Sequence, residues 1–214
     1  MSVSVEQVKK LREMSGAPML ECKRALDEAQ GEMEQAFTLL RKRGQAAAAK
    51  KAGRVATQGL IGSYVHPGSQ IAVIVEVNCE SDFVARNAEF QDLTHDIAMQ
   101  ICATDPRYIR KEDVTPEILE REKEVLRAQA VTSGKPEAVI TRIVEGKLDK
   151  FYEDNCLYEQ HFIKDITGST TIRELVHAKV AKFGENIMVR RFARFKVGEG
   201  LSKSDSDSEA TPAR

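Results

Sequence analysis

The sequence lacks the segments that would place the protein in a membrane or direct it out of the cell. No apolar run approaches the roughly 20 residues that a membrane-spanning helix needs. The N-terminal stretch MSVSVEQVKKLREM also lacks the apolar segment of a secretory signal. We therefore expect a cytoplasmic protein.

Closely spaced metal ligands and cysteine pairs are absent as well. The four cysteines form no CxxC pair and the four histidines are scattered, so the sequence has no zinc-site spacing. We predict reduced thiols that are mostly buried as small apolar side chains, with no metal and no cofactor. The cysteines are Cys22, Cys79, Cys102 and Cys156.

The motifs that commonly mark enzymes are also missing. The sequence contains no GxxxxGK[ST] or GxGxxG phosphate loop, no GxSxG and no HExxH, so we do not expect an enzyme. One alternative that local spacing leaves open is a hydrolase site in which His161 or His177 meets Cys156 and carboxylates in space.

Neither sign of charge predominates. The chain has 32 lysines and arginines against 33 acidic residues, a formal net charge of −1. Charge therefore gives no global reason to expect nucleic acid or an anionic membrane as the main partner. The 214 residues suffice for one full core and a small satellite domain.

Residues 1–43 are predicted to form a small bundle of three amphipathic helices. In the second helix the i, i+3, i+4, i+7 pattern starts at Cys22 and marks the buried side. Leu20 lies nearly opposite, on the side that we expect to be solvated. Beside Met14 and Lys23, it is either an ordinary exposed leucine or part of a docking surface.

Residues 44–58 are predicted to form a basic helical linker. The stretch 41–54 has six basic residues and no acid, and its alanine run favours a helix. It is either a solvated connector or a basic strut, including Lys51, that contacts an acidic partner or RNA. The absence of aromatic residues for base stacking weakens the RNA alternative.

Residues 59–201 are predicted to form an α+β core. Period-two patterns indicate strands at 60–65, 70–78 and 186–197, with both faces of the second strand partly covered. Because helices separate the strands, we expect a small antiparallel three-stranded sheet with helices on one face. In the third strand one face should carry Ile187, Val189, Arg191, Ala193, Phe195 and Val197.

Helical patterns occupy the rest of this core. A stripe at Phe90, Leu93, Ile97 and Ile101 predicts a helix after the second strand. A helical hairpin is predicted at about 115–154, with its turn at 132–136. Its first helix should bury Ile118, Leu119, Val125 and Leu126. Thr171 and Glu174 have capping-box spacing ahead of a last helix, and the tail 202–214 is predicted to be disordered.

The corner between the second strand and the following helix is the most suggestive feature. From residue types alone, Ser81 or Asp82 would cap the helix and Phe83 would fold into the core. The alternative is that Phe83 projects from a rigid corner into a pocket of a partner. Residue physics does not decide between them.

Two long stretches resemble the signatures of the elongation factor Ts family. They are 8–26, VKKLREMSGAPMLECKRAL, and 76–86, EVNCESDFVAR. In the second, Ser81 replaces the usual threonine and keeps a hydroxyl group. Shorter matches at 134–136, 144–146 and 194–200 extend the resemblance over nearly the whole chain except the tail.

The resemblance implies a guanine-nucleotide exchange factor for elongation factor Tu. Its first domain would be similar to a ubiquitin-associated fold and would dock on the G domain of that partner. The docking residues would be Arg12, Met19, Leu20 and Lys23. At the corner of Ser81, Asp82, Phe83 and Val84, the aromatic ring would insert near the nucleotide's magnesium and promote GDP release, so that GTP can rebind.

The chain departs from longer family members, which carry a second, degenerate core and a coiled-coil insertion. Short members of the family tend to pair, which implies a homodimer and a two-plus-two complex with elongation factor Tu. The predicted strand 186–197, as a sheet edge, is one place for such pairing. A remaining alternative, based on residues 1–54, is a ubiquitin-associated-like adaptor or an RNA-binding accessory protein.

Overall fold

The computed structural model of the protein describes residues 3–131 and 136–201. Within them it is an α+β protein with an N-terminal helical bundle and an antiparallel sheet, which confirms the predicted fold class. Most of the predicted hairpin turn and the whole predicted disordered tail lie outside the described residues.

The N-terminal bundle consists of α1 (Val5–Ser15), α2 (Met19–Glu28) and the first half of α3 (Met33–Lys51). A capping box between Ser4 and Gln7 begins α1, and Gly16, with φ of +63°, ends it in the left-handed conformation that glycine adopts without strain. The buried residues of this small core are Val8, Leu11, Cys22, Ala25, Leu26, Ala29 and Ala36.

The first part of the predicted basic linker, residues 44–51, continues helix α3, and the chain leaves the helix after Lys51. Helix α3 packs against α8 (Ile172–Phe183), and Ala48 belongs to the main core. At Gly44 the two helices are in close contact: a Cβ added there would lie 3.7 Å from the carbonyl oxygen of His177, an ordinary van der Waals distance. One helix therefore connects the bundle to the core, and the boundary at 43/44 stays a prediction.

The sheet contains β1 (Gln58–Val65), β2 (Ile71–Cys79) and β3 (Met188–Lys196), in the order β1-β2-β3. Both pairs are antiparallel. Helices α4 (Asp82–Ala85) and α5 (Ala88–Thr104) pack against β1 and β2. The predicted stripe of α5 is confirmed, since Phe90, Leu93, Ile97 and Ile101 are buried.

Strand β3 does not keep one face along its length, so its predicted face is wrong. A β-bulge interrupts the β2–β3 ladder between Glu76 and Val77, and Arg190 is left out of the pairing. Because the bulge adds one residue to β3, the side chains before and after it alternate between the two sheet faces in opposite phase. Val189 is therefore buried, whereas Phe195 is exposed.

The outer sheet face is only partly covered along β2, as expected for this strand: Ala72 and Glu76 are half-buried, whereas Ile74 is exposed. Ile74 in β2 is 49% exposed. Val65 and Phe195, on the two edge strands, both pair with Ala72 and so lie in one row across the sheet. We define the outer sheet face by its exposed members Ile61, Val65, Ile74 and Phe195.

The predicted helical hairpin is present as α6 (Pro116–Val131) and α7 (Glu137–Asn155). Leu126 and Ala130 of α6 and Ile140 of α7 are buried along the seam between the helices. The predicted burial of Ile118 and Val125 is wrong, because two helices share one seam and these side chains lie beside it. The capping box of α8, formed by Thr171 and Glu174, is confirmed.

Candidate functional site

The corner between β2 and α4 is built by a helix cap. Ser81 is extended (φ −124°, ψ 156°), and its Oγ accepts a hydrogen bond from the backbone N–H of Val84 at 3.4 Å. The capping role predicted for this position is confirmed for Ser81. The helix that follows, α4, is only four residues long.

Phe83 projects from this corner into solvent. Its side chain is 80% exposed, so the burial expected from residue type alone is wrong. The next two residues, Val84 and Ala85, occupy the core side of the single turn and leave Phe83 on the opposite side. A largely exposed phenylalanine keeps apolar surface in contact with water, and it is suited to fill a pocket on another molecule.

Glu185, between α8 and β3, is hydrogen-bonded to the corner. The backbone N–H groups of Glu80 and Ser81 donate to Glu185 Oε2 at 3.1 and 3.0 Å, and Ser81 Oγ donates to Oε1 at 2.6 Å. Glu185 was missed by sequence reasoning, because more than a hundred positions separate it from the corner and no local pattern links them.

A second tie comes from Cys79 at the end of β2. Its thiol donates to the carbonyl oxygen of Ser81 at 3.1 Å. Burial, and to a lesser extent the carboxylate of Glu185, raises the pKa of the Cys79 thiol to about 11. The thiol therefore keeps its proton at neutral pH and remains a donor to the corner.

Asp82 lies at the surface beside Phe83. Its carboxylate pairs with Arg86 at 3.0 Å, four residues along the chain, and both side chains are exposed. Such exposed pairs contribute little to stability, so this one is easily exchanged for a contact with a partner. Val84, in contrast, is buried in the core and offers little direct contact surface.

The other predicted contact residues lie on the helical bundle, not at the corner. Met19 and Leu20 are exposed large apolar residues at the start of α2, and Met14 near them on α1 is also exposed. Arg12 and Lys23 are exposed on the same two helices. We call these exposed apolar and basic side chains together the bundle surface.

Lys51 is the last residue of α3, and the segment that follows it contacts the corner. Arg54, three residues later, pairs with Glu80 at 3.6 Å. The carbonyl oxygen of Arg54 accepts a hydrogen bond from Asn186 Nδ2 at 2.8 Å. The end of α3 and the corner are thus held against each other.

The basic stretch 41–54 is partly neutralised by its own protein. Arg41 pairs with Glu174 on α8, and Arg43 pairs with Glu21 and Glu28 on α2. Paired arginines are less available to a phosphate backbone. This observation argues against the RNA-binding alternative.

The cysteines do not resemble nucleophiles. All four are free and buried, which confirms the prediction of buried reduced thiols. Burial raises the pKa of Cys156 to about 11, so its thiolate is scarce at neutral pH. His161 is exposed whereas Cys156 is fully buried, which argues against the hydrolase alternative.

The described residues thus form a helical bundle and an α+β core that exposes a phenylalanine at the corner. The family model for elongation factor Ts matches residues 21–199. The chain is similar to elongation factor Ts from Koribacter versatilis, at 56% identity over 98% of this chain and 97% of that protein. It is also similar to elongation factor Ts from Carboxydothermus hydrogenoformans, at 53% identity over 99% and 96% of the two chains.

The chain therefore belongs to the elongation factor Ts family, as the resemblance of its two signatures predicted. The family-model match begins within α2, includes the corner and extends past β3, and the matches to the two relatives cover nearly the whole chain. Among the described residues, the structure has no helix both long and apolar enough to cross a membrane.

Proposed function

We propose that this protein is a guanine-nucleotide exchange factor for elongation factor Tu and acts in the cytoplasm. It binds the GDP complex, inserts Phe83 near the magnesium of the bound nucleotide, and promotes GDP release so that GTP can rebind. The observation that carries the proposal is the 80% exposure of Phe83 on a corner held by hydrogen bonds. Family membership supports the choice of partner.

The protein performs no bond chemistry in this scheme. An exchange factor binds the nucleotide-free partner more tightly than the GDP complex, and by thermodynamic linkage it lowers GDP affinity by the same factor. Phe83 supplies the differential contact if the pocket that it enters is open only when the magnesium site is disturbed. Asp82, at the surface beside it, supplies a charged contact to the same partner region.

The bundle surface docks on the G domain in this proposal. Its apolar members Met19 and Leu20 bury against the partner, and Arg12 and Lys23 give charge complementarity at the rim. Lys51 contributes a further basic contact from the end of α3. Docking at the bundle and insertion at the corner are then two separable steps, since different elements carry them.

The proposal includes a homodimer and a two-plus-two complex. The outer sheet face supports it, because a contiguous apolar face on an antiparallel sheet is commonly covered. The carboxylate of Glu76 on this face is paired with Arg190 at 2.8 Å and Arg191 at 2.6 Å, so this carboxylate would not be left without a counter-charge if the face were covered. We favour this face over the edge of β3 alone.

The test of exchange is the release of labelled GDP from elongation factor Tu. The protein should accelerate release, and Phe83→Ala should reduce the rate at saturation by about thirtyfold or more, as expected for an interface residue worth at least about 2 kcal/mol. Phe83→Leu should retain part of the activity because it keeps apolar bulk.

Ile166→Ala is the matched control, since Ile166 is another exposed large apolar residue away from the corner. It should release GDP at the wild-type rate. Full activity of Phe83→Ala would show that the ring is not the inserting group, and no acceleration by the wild-type protein would refute the exchange function itself.

A further inference from the structure

The position of Phe83 depends on hydrogen bonds between residues 80–81 and residues 185–186, two segments that lie far apart in sequence. We call this set of hydrogen bonds the clasp. Glu185 follows Gly184, the left-handed residue that ends α8, and precedes β3. It accepts three hydrogen bonds from residues 80 and 81, as described above. In return, the backbone N–H of Asn186 donates to Glu80 Oε1 at 2.6 Å. Each segment thus satisfies donors of the other where the β2–β3 ladder ends.

The carboxylate also fixes the hydroxyl group of the helix cap. A serine hydroxyl has one proton to donate, and Ser81 Oγ donates it to Glu185 Oε1. The oxygen is then oriented to accept the N–H of Val84, which caps α4. Because a four-residue helix cannot persist by backbone hydrogen bonds alone, its direction depends on this cap and on core packing.

The clasp extends to the docking part of the molecule. Asn186 Nδ2 donates to the carbonyl oxygen of Arg54, just beyond α3, and Arg54 pairs with Glu80. The end of the helix that carries the bundle is therefore connected to the corner through residues 185 and 186. A bundle docked on a partner holds the corner in a defined place.

We propose that Glu185 is a positioning residue for exchange: it holds the Ser81 cap so that Phe83 is presented ready for insertion. The inference rests on the proposed exchange function. Hydrogen bonds to a charged acceptor are among the stronger ones in proteins, and ordering the corner before binding removes an entropic cost from the insertion step. Glu185 itself need not touch the partner.

The test is a double-mutant cycle on the rate of GDP release at saturating factor. Glu185→Ala should lower that rate on the order of tenfold when Phe83 is present, which corresponds to about 1.4 kcal/mol. In the Phe83→Ala background the same change should have almost no further effect, because there is no ring left to position. Glu185→Gln keeps one acceptor oxygen and should give an intermediate rate.

The matched control is Asp165→Ala. Asp165 also ties a loop, accepting backbone N–H groups of Thr167, Ser169 and Thr170 at 3.0, 3.1 and 2.8 Å, but it makes no contact with the corner. It should leave GDP release unchanged. Hydrogen exchange should show faster exchange at the Ser81 and Val84 amides in Glu185→Ala and not in Asp165→Ala.

Equal losses from Glu185→Ala with and without Phe83 would overturn the inference, because they would indicate a general structural role. A wild-type rate in Glu185→Ala would overturn it too. If the alanine variant does not fold, the cycle is carried out with Glu185→Gln, where equal losses in both backgrounds have the same meaning. Failure of the wild-type protein to release GDP would instead refute the exchange function, which separates the two outcomes.

Discussion

Two exposed phenylalanines, Phe83 and Phe195, lie in very different surroundings. Phe83 stands alone on a one-turn helix whose cap is held by Glu185. Phe195 lies in a row of apolar side chains across a sheet, next to Ala72 and in line with Val65. A single aromatic residue on a fixed corner suits insertion into a pocket, whereas a broad apolar face suits burial against another flat surface.

The comparison teaches that exposure alone does not indicate function. Residue types predicted that Phe83 would be buried, and alternation placed Phe195 on the same face as buried Val189. Different local features overturn the two expectations: a helix of a single turn in one case and a β-bulge in the other. If the two surfaces have separate roles, substitutions should affect them independently.

The largest effect is expected at the outer sheet face. Phe195→Asp puts a charge into the proposed dimer interface, where an unpaired buried charge costs several kcal/mol, so the dimer should dissociate at concentrations where the wild-type protein is paired. Sedimentation equilibrium measures this. Because Phe195 is exposed in the single chain, unfolding stability of the monomer should change by no more than about 0.5 kcal/mol.

Phe83→Asp is the matched comparison for that variant and should leave the dimer intact. Loss of pairing in Phe83→Asp, or an unchanged dimer in Phe195→Asp, would contradict the division of roles between the corner and the outer sheet face.

A smaller effect is expected at the bundle surface. Leu20→Glu should raise the concentration of factor that gives half-maximal GDP release by about tenfold, the size of a moderate interface contact of about 1.4 kcal/mol. The rate at saturation should hardly change, since Phe83 still inserts. Titration of the release rate separates the two quantities.

Val5→Glu is the control for the bundle surface, because Val5 is an exposed apolar residue on α1 that is not part of that surface. It should behave like the wild-type protein. If Leu20→Glu lowers the saturating rate and leaves the half-maximal concentration unchanged, docking and insertion are not separate steps.

The smallest effect concerns how the unfolding stability of the protein depends on pH through Glu76 on the outer sheet face. Hydrogen bonds from Arg190 and then Arg191 lower the pKa of Glu76 from 4.5 to about 2. A depressed carboxyl pKa stabilises the fold above the unfolded-state pKa, and that contribution is lost as pH falls from about 4.5 to about 2.

As pH falls through that range, the Glu76→Gln variant should therefore lose slightly less free energy of unfolding than the wild-type protein. The difference is small because the ion pairs are near the surface. Urea unfolding midpoints measured from pH 7 to pH 2.5 check it. Identical acid dependence in the two proteins would show that these ion pairs do not contribute.

Local signals made much of the fold predictable. The capping box of Thr171 and Glu174 and the stripe along α5 are confirmed, because caps and helical periodicity depend on neighbours within a few residues. The bulge at Arg190 and the exposure of Ile118 were not predictable, since both depend on what packs across the sheet or beside the hairpin.

The candidate site divides in the same way. Its tip, Phe83, was found through the resemblance of a continuous stretch, and the cap at Ser81 through its residue type. Glu185 gave no such signal, because its three hydrogen bonds join segments more than a hundred residues apart. The sequence thus predicted the tip, and only the fold revealed the hydrogen bonds that hold the corner.

The central claim is that Phe83 enters the partner, and a structure of this protein in complex with nucleotide-free elongation factor Tu tests it most directly. The account predicts that the Phe83 ring is buried between elements of the G domain beside the magnesium site, with Glu185 still bonded to Ser81. A complex in which Phe83 remains in solvent, as it is in the free protein, would contradict it.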